Sequence, residues 1–280
     1  MEPISPPVDG IRLRSIFFQN LAEIEVQRQS SLGLSRPHSS QITDCMRKQW
    51  FTMTGQEVTN PPDEHGIYAR NQGHFNEEAV APLLENRDAG IALVRTFPGV
   101  YGQVAVTPDR VLQRHKAFGW ERAFPVELKY LSASKFVDIA TKGVQQSSHN
   151  YWVQCMFQAA LLDTPGTLIV VFCKDPSEAK KQRTIKLRKL NGDAKKIIPG
   201  ADLLDEIERW EHMPTDLYEE WVPLDMETVE FYSQRGDWLM RLADTGTPAQ
   251  KEFIPGTDWQ CNYCDFRKAC EDVDKVVENE

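Results

Sequence analysis

Residues 120–131 carry apolar side chains at every second position around Glu127 and Lys129: Phe124, Val126, Leu128 and Tyr130. Alternation of this kind fits a β-strand, whose side chains point to opposite faces in turn, and does not fit a helix. It sets Glu127 and Lys129 together on the other face, so the single residue between them is what aims both groups at one point. Upstream, residues 102–112 carry Val104, Val106 and Val111 and read as a second strand, with Pro108 at an edge or bulge. Asp109 then lies where that strand bends. The charged, glycine-containing link Gln113–Gly119 is long enough for a hairpin that brings the second strand back beside the first.

The rest of the chain supplies helices around these strands. Apolar residues Trp152, Val153, Met156, Phe157, Ala160 and Leu161 recur at helical spacing within Ser147–Leu162. Gly166–Cys173 is a short apolar run of buried-strand type, and Lys181–Leu190 reads as a more polar strand beside it. Further helices are expected at Ile42–Met53, from Tyr68 towards Pro82, at Ala201–Trp210 and at Asp225–Ala243. Strands joined by a helical crossover define an α/β domain. Residues 1–40 read as a lead with one amphipathic helix, Ile16–Gln29, and residues 41–280 as a single domain.

The formal charge of −9 over 280 residues excludes a uniformly basic nucleic-acid binder, because phosphate contacts need local positive charge. A basic groove on an acidic body remains open. Lys180, Lys181, Arg183, Lys186, Arg188, Lys189, Lys195 and Lys196 form one basic run, which reads equally as a DNA-facing surface or a solvated hairpin face. No run of eighteen apolar residues indicates a membrane span, and the Pro-rich, acidic start is unlike a signal peptide. The expectation is a soluble, cytoplasmic protein. The chain has no GxxxxGK[S/T] loop and hence no nucleotide-driven motor of its own.

Two carboxylates and a lysine, Asp109, Glu127 and Lys129, are the minimal set for metal-assisted phosphodiester cleavage. The carboxylates supply hard oxygen ligands to a divalent ion, and the lysine serves the attacking water or the charge developing on phosphate. A second constellation lies in the cysteines. Cys261, Cys264 and Cys270 form C-x2-C-x5-C, and Cys45 stands near the other end, in Asp44-Cys45-Met46-Arg47-Lys48. Thiolates at such spacing gather round one metal centre, and nearby cations favour the thiolate form. Zinc and an iron–sulfur cluster fit the spacing equally; a disulfide pair, disfavoured in a cytosolic protein, and inert thiols are the other readings. Cys155 and Cys173 fall within a helix and a buried strand and read as core.

A PD…ExK core, Pro108-Asp109 with Glu127-Leu128-Lys129, combined with one upstream cysteine and C-x2-C-x5-C, resembles the RecB-like family of PD-(D/E)xK nucleases. More narrowly it resembles the iron–sulfur branch, with its CRISPR-associated RecB-like exonucleases, AddB-type domains and phage relatives. The resemblance implies a restriction-endonuclease-like mixed sheet flanked by helices, with N- and C-terminal helical segments joined at a four-cysteine [4Fe-4S] cluster. It implies a DNA exonuclease using Mg²⁺ or Mn²⁺, acting on single-stranded DNA from 5′ to 3′, with recombination or CRISPR-adaptation proteins as partners. It also draws in Gly73-His74-Phe75-Asn76-Glu77, where Glu77 occupies the acidic position of an upstream metal ligand and His74 is the weaker alternative. Gly73 would there let backbone approach the site. The family's Gln-x-x-x-Tyr helix corresponds to Gln154–Gln158; Gln154 is kept as a residue that binds DNA or orients the lysine, reading equally as a polar residue on the wet side of its helix, while Gln158 replaces the tyrosine. Two other readings stand beside this one: a catalytically silent DNA-binding adaptor on the same scaffold, and a zinc-stapled protein whose ExK is incidental.

Overall fold

The computed structural model describes residues 35–85, 92–113, 123–194, 201–253 and 258–277. The expected helix Ile16–Gln29 and most of the link between the two strands lie outside the described residues.

The architecture is a mixed sheet with helices on its faces. Its elements are α1 (Met46–Met53), α2 (Glu64–Val80), β1 (Ala92–Val94), β2 (Gly99–Tyr101), β3 (Val104–Val106), β4 (Arg110–Gln113), β5 (Phe124–Leu131), α3 (Ala133–Lys142), α4 (Val144–Ser147), α5 (His149–Leu161), β6 (Gly166–Cys173), α6 (Pro176–Ala194), α7 (Ala201–His212), β7 (Leu217–Pro223), α8 (Met226–Thr245), α9 (Trp259–Asn262) and α10 (Arg267–Val277). Five strands form one sheet in the order β1-β4-β5-β6-β7, and β2 and β3 pair as a separate ribbon. β4 returns antiparallel to β5 with Arg110 opposite Val126, as the hairpin reading requires. β5 and β6 are parallel, with Glu127 opposite Ile169 and Lys129 opposite Val171. The connection between them runs through α3, α4 and α5, because parallel neighbours need a crossover.

The alternation in β5 sorts the sheet into two apolar layers. Phe124, Val126 and Leu128 join Leu112 and Val170 on one face. On the other, Ile169 and Val171 pack with Phe136, Val153, Met156 and Phe157 from α3 and α5. Glu127 and Lys129 share that second face. A parallel pair covered on both sides explains why Glu127 is fully buried.

Two expected strands are reshaped. Residues 102–112 do not form one strand: β3 and β4 belong to different sheets, and Thr107–Asp109 is the break between them. Lys181–Leu190 is helical, within α6. The Ile185-Lys-Leu-Arg spacing imitates alternation, but Asp175-Pro176-Ser177-Glu178 starts a helix. The Asp175 carboxylate accepts from the Glu178 N–H at 3.0 Å, and proline at a first helical position already has the right φ. Lys180–Lys189 of the basic run therefore lies along α6, beside acidic α7, while Lys195 and Lys196 lie outside the described residues: Lys186 pairs with Glu206 at 2.7 Å, and Arg183 donates to the Met213 carbonyl at 2.9 Å.

The two ends of the chain meet through polar contacts. Arg235 of α8 donates to the Ile42 and Asp44 carbonyls at 2.9 and 2.6 Å, and Arg47 donates to the Ala249 carbonyl at 2.7 Å. The Thr59 and Asn60 N–H groups both donate to the Asp265 carbonyl, at 3.0 and 2.8 Å. The Phe51 and Phe266 rings lie 5.4 Å apart.

β6 and β7 lie so close where β6 begins and β7 ends that only glycine fits. A Cβ at Gly166 would stand 2.4 Å from the Val222 carbonyl oxygen and 2.7 Å from the Trp221 ring. Gly166→Ala is expected to destabilise the protein by about 1–3 kcal/mol, the usual cost of overpacking. Urea denaturation measures this directly.

Candidate active site

The break between β3 and β4 places Asp109 immediately before β4, beside the centre of β5. Its carboxylate accepts from the Leu128 N–H at 2.9 Å, which fixes it against the strand that carries the other two groups. Lys129 donates to Glu127 and lies 3.9 Å from the Asp109 carboxylate, so its ammonium sits between both acids. Next in the chain, Arg110 donates to the Asp109 carbonyl at 2.7 Å and pairs with Glu78 of α2 at 2.8 Å. Arg95 also pairs with Glu78. These contacts tie α2 to the hairpin.

α5 forms the roof. Gln158, fully buried, donates its amide N–H to the second Glu127 oxygen. Tyr151, two turns earlier on the same helix face, presents its ring to the Lys129 ammonium at 5.3 Å. Gln154 lies between them in sequence and is 6% exposed, so it is not on the wet side of its helix.

The electrostatics follow from burial and crowding. Burial, then the Asp109 charge, pushes the Glu127 carboxyl up to about 8, against the opposing pull of Lys129 and Gln158. Burial also raises Asp109, with Glu77 adding to the rise; Lys129, the Leu128 N–H and Arg110 oppose it. Burial by itself would depress Lys129, yet Glu127, Asp109 and Glu77 together hold it well above the ordinary lysine value. Glu77 on α2 thus acts electrostatically on both Asp109 and Lys129. His74 is on the same helix, and its side chain lies outside the described residues. A Cβ at Gly73 meets nothing within 4 Å, so close packing within the chain is not what the glycine serves.

The arrangement contains hard oxygen donors, a cation and buried partners that hold both. Among the described residues, no three His, Cys, Asp or Glu side chains stand together as a ready metal cage. At this site the position between the acids is taken by Lys129. The donor set still suits a divalent ion: two carboxylates converge here, with Glu77 in electrostatic range.

Sequence reasoning gave Gln158 no role and did not single out Tyr151, Glu78 or Arg110. The helical register held the first signal, since positions 151, 154 and 158 share one face. The Glu78–Arg110 pair had none.

The four cysteines line one cavity of 590 Å³ at the junction of the chain ends. Cys45 precedes α1, Cys261 lies in α9, Cys264 follows it, and Cys270 is in α10. Burial raises the Cys261 thiol, and the proximity of Cys264, Cys45 and Cys270 raises it further. An Arg47 guanidinium nitrogen stands 3.9 Å from the Cys270 sulfur. Cys155 and Cys173 are buried in the core, as their sequence positions imply.

No family model matches the chain, and neither does any curated protein. Among solved structures, an alkaline exonuclease (LHK-Exo) from Laribacter hongkongensis is similar with a TM-score of 0.48 at 10% identity, over 79% of this chain and 94% of that one. LHK-Exo in complex with dAMP gives 0.47 at 11% identity, over 76% and 90%. No helix among the described residues is long and apolar enough to cross a membrane.

Proposed function

We propose that this chain is a metal-dependent deoxyribonuclease of the RecB-like PD-(D/E)xK kind. The observation that supports the reading best is the convergence of Asp109, Glu127 and Lys129 at the β4–β5 hairpin, under α5. In this account Asp109 and Glu127, with Glu77 in support, hold Mg²⁺ or Mn²⁺. The ion when bound polarises the phosphate and makes water a better nucleophile at neutral pH. Gln158 holds the Glu127 carboxylate in one rotamer. Lys129 leaves the acids for the scissile phosphate, where its charge meets the charge that builds up in the transition state. Tyr151 beneath it limits where the ammonium can go. Gln154, only 6% exposed, has little surface to offer DNA, and its proposed part is to help orient Lys129.

The motif resemblance supports single-stranded DNA, degraded from a 5′ end. The purified protein with Mn²⁺ is expected to shorten a 3′-labelled single strand from its free end. If neither single- nor double-stranded labelled DNA is cut, the silent adaptor takes its place.

The same reading gives the four cysteines a structural [4Fe-4S] cluster. Soft thiolates suit iron–sulfur. All four cysteines line one cavity, which supports a shared centre.

The raised Glu127 carboxyl yields a pH prediction. Below about 8 it holds its proton, which a divalent ion must displace. Mn²⁺ affinity is therefore expected to climb by close to tenfold per pH unit between about pH 6 and 7, and to level off above about 8. Calorimetric titration across this range checks it; an affinity flat with pH would contradict the assignment of Glu127 as ligand.

A further inference from the structure

Asp109 owes its place to a break in the chain, and that break is held from both sides. Thr107–Asp109 joins β3 to β4, which belong to different sheets. A short link with no strand partner of its own could set the Asp109 carboxylate at many angles; two sets of contacts leave it few. On one side the Thr96 hydroxyl donates to the Pro108 carbonyl at 2.6 Å. On the other, Pro37–Ser39 lies along β3. The Ala105 N–H donates to the Pro37 carbonyl and the Ser39 N–H donates to the Ala105 carbonyl, both at 2.8 Å. That pairing brings the His38 ring to Thr107.

The ring has a defined polarity. The Ser40 N–H donates to Nδ1 at 3.3 Å, so Nδ1 is the lone-pair nitrogen, and the Ser40 hydroxyl, 2.8 Å away, donates to it as well. The ring proton then sits on Nε2, which donates to the Thr107 hydroxyl oxygen at 3.4 Å. Burial lowers the ring to about 4, so it stays neutral near pH 7 and keeps this arrangement. His38 stands outside the Asp109, Glu127 and Lys129 cluster. What it holds is the residue two positions before Asp109.

We propose that His38 is a positioning residue for the candidate active site: through Thr107, with Thr96 on the other side, it fixes the Thr107–Asp109 break so that the Asp109 carboxylate meets the Leu128 N–H beside Lys129. For its catalytic consequence the proposal rests on the nuclease reading; for the placement of Asp109 it does not.

The Leu128 amide reports that placement without any cleavage. Its partner is the Asp109 carboxylate, so its exchange with solvent deuterium follows where Asp109 stands. In the whole protein, His38→Ala and Thr107→Val are each expected to speed Leu128 exchange by at least about tenfold, the scale of losing one hydrogen bond to a charged group. Ile169, in the centre of the same sheet, should stay as protected as in the parent. The double variant should exchange no faster than either single one, because both cut the same link. His38→Gln, whose amide N–H can stand in for Nε2–H, should restore most of the protection. Mn²⁺ affinity, followed by calorimetric titration, should fall roughly tenfold in His38→Ala and in Thr107→Val, as it does when a residue that orients a metal ligand is lost. It should recover in His38→Gln.

Leu128 exchange within about twofold of the parent in both single variants would overturn the proposal. So would protection lost equally at Leu128 and Ile169, which marks a general loosening of the fold. The two readings fail separately. A parent that neither binds Mn²⁺ nor cuts DNA removes the nuclease and leaves the Leu128 result to decide the placement. A parent that cuts DNA while Leu128 ignores the loss of His38 keeps the nuclease and removes the positioning role.

Discussion

Lys129→Ala is expected to abolish DNA cleavage, with a loss on the order of 10²–10³-fold or more, the scale seen when a preorganised transition-state donor is removed. The fold should survive. Removing one partner of a buried pair usually leaves a costly unpaired charge. Here the partner left behind has an escape: the Glu127 carboxyl is already raised to about 8, and loss of the Lys129 charge raises it further, so it stays protonated and neutral near neutral pH. Asp109→Ala and Glu127→Ala should be equally inactive for a different reason, since each removes a ligand while Lys129 stays. Single-turnover cleavage with circular dichroism on the same samples separates chemistry from folding. Full activity in a folded Lys129→Ala protein would sink the mechanism.

Cys261→Ala and Cys45→Ala are expected to remove iron and acid-labile sulfide and to lower the melting temperature together. The two cysteines stand in segments from opposite ends of the chain, and both line the same cavity. A shared cluster then acts as a cross-link over a very long loop. A disulfide closing such a loop stabilises by roughly 2–4 kcal/mol, which corresponds to on the order of 5–15 °C for a domain of this size. The direct contacts between the ends, Arg235 to Ile42 and Asp44 and Arg47 to Ala249, should keep the apoprotein from unfolding outright. Cys155→Ala is the useful comparison, because Cys155 is core and distant from the other thiols in role. A Cys261→Ala protein as stable as the parent would refute the staple, and zinc without sulfide would replace the cluster.

What the sequence made legible was local and periodic. Alternation within residues 120–131 placed Glu127 and Lys129 on one face of β5 and Phe124, Val126 and Leu128 on the other, as the two apolar layers bear out; the strand itself begins only at Phe124. Helical spacing identified α5, and the short apolar run identified β6. α6 was misread because a false alternation in its middle outweighed the start signal at Asp175-Pro176. β7 (Leu217–Pro223) was not read at all; half-exposed and acidic at Glu219 and Glu220, it owes its strand form to pairing with β6. The strand assigned to residues 102–112 breaks at Pro108, and that break is what turns Asp109 towards Leu128. Gln158 shows a different limit. A glutamine in a tyrosine's place carries no signal of its own, and its contact with Glu127 comes from the packing of α5 on β5.

The most direct test is the release of acid-soluble nucleotide from labelled single-stranded DNA under control of the metal. The protein is first assayed without divalent ion, then with Mn²⁺, beside Asp109→Asn. The account predicts no release at first, release by the parent once Mn²⁺ is present, and none by Asp109→Asn under either condition. Release without divalent ion, equal release by Asp109→Asn, or no release by the parent with Mn²⁺ would contradict it.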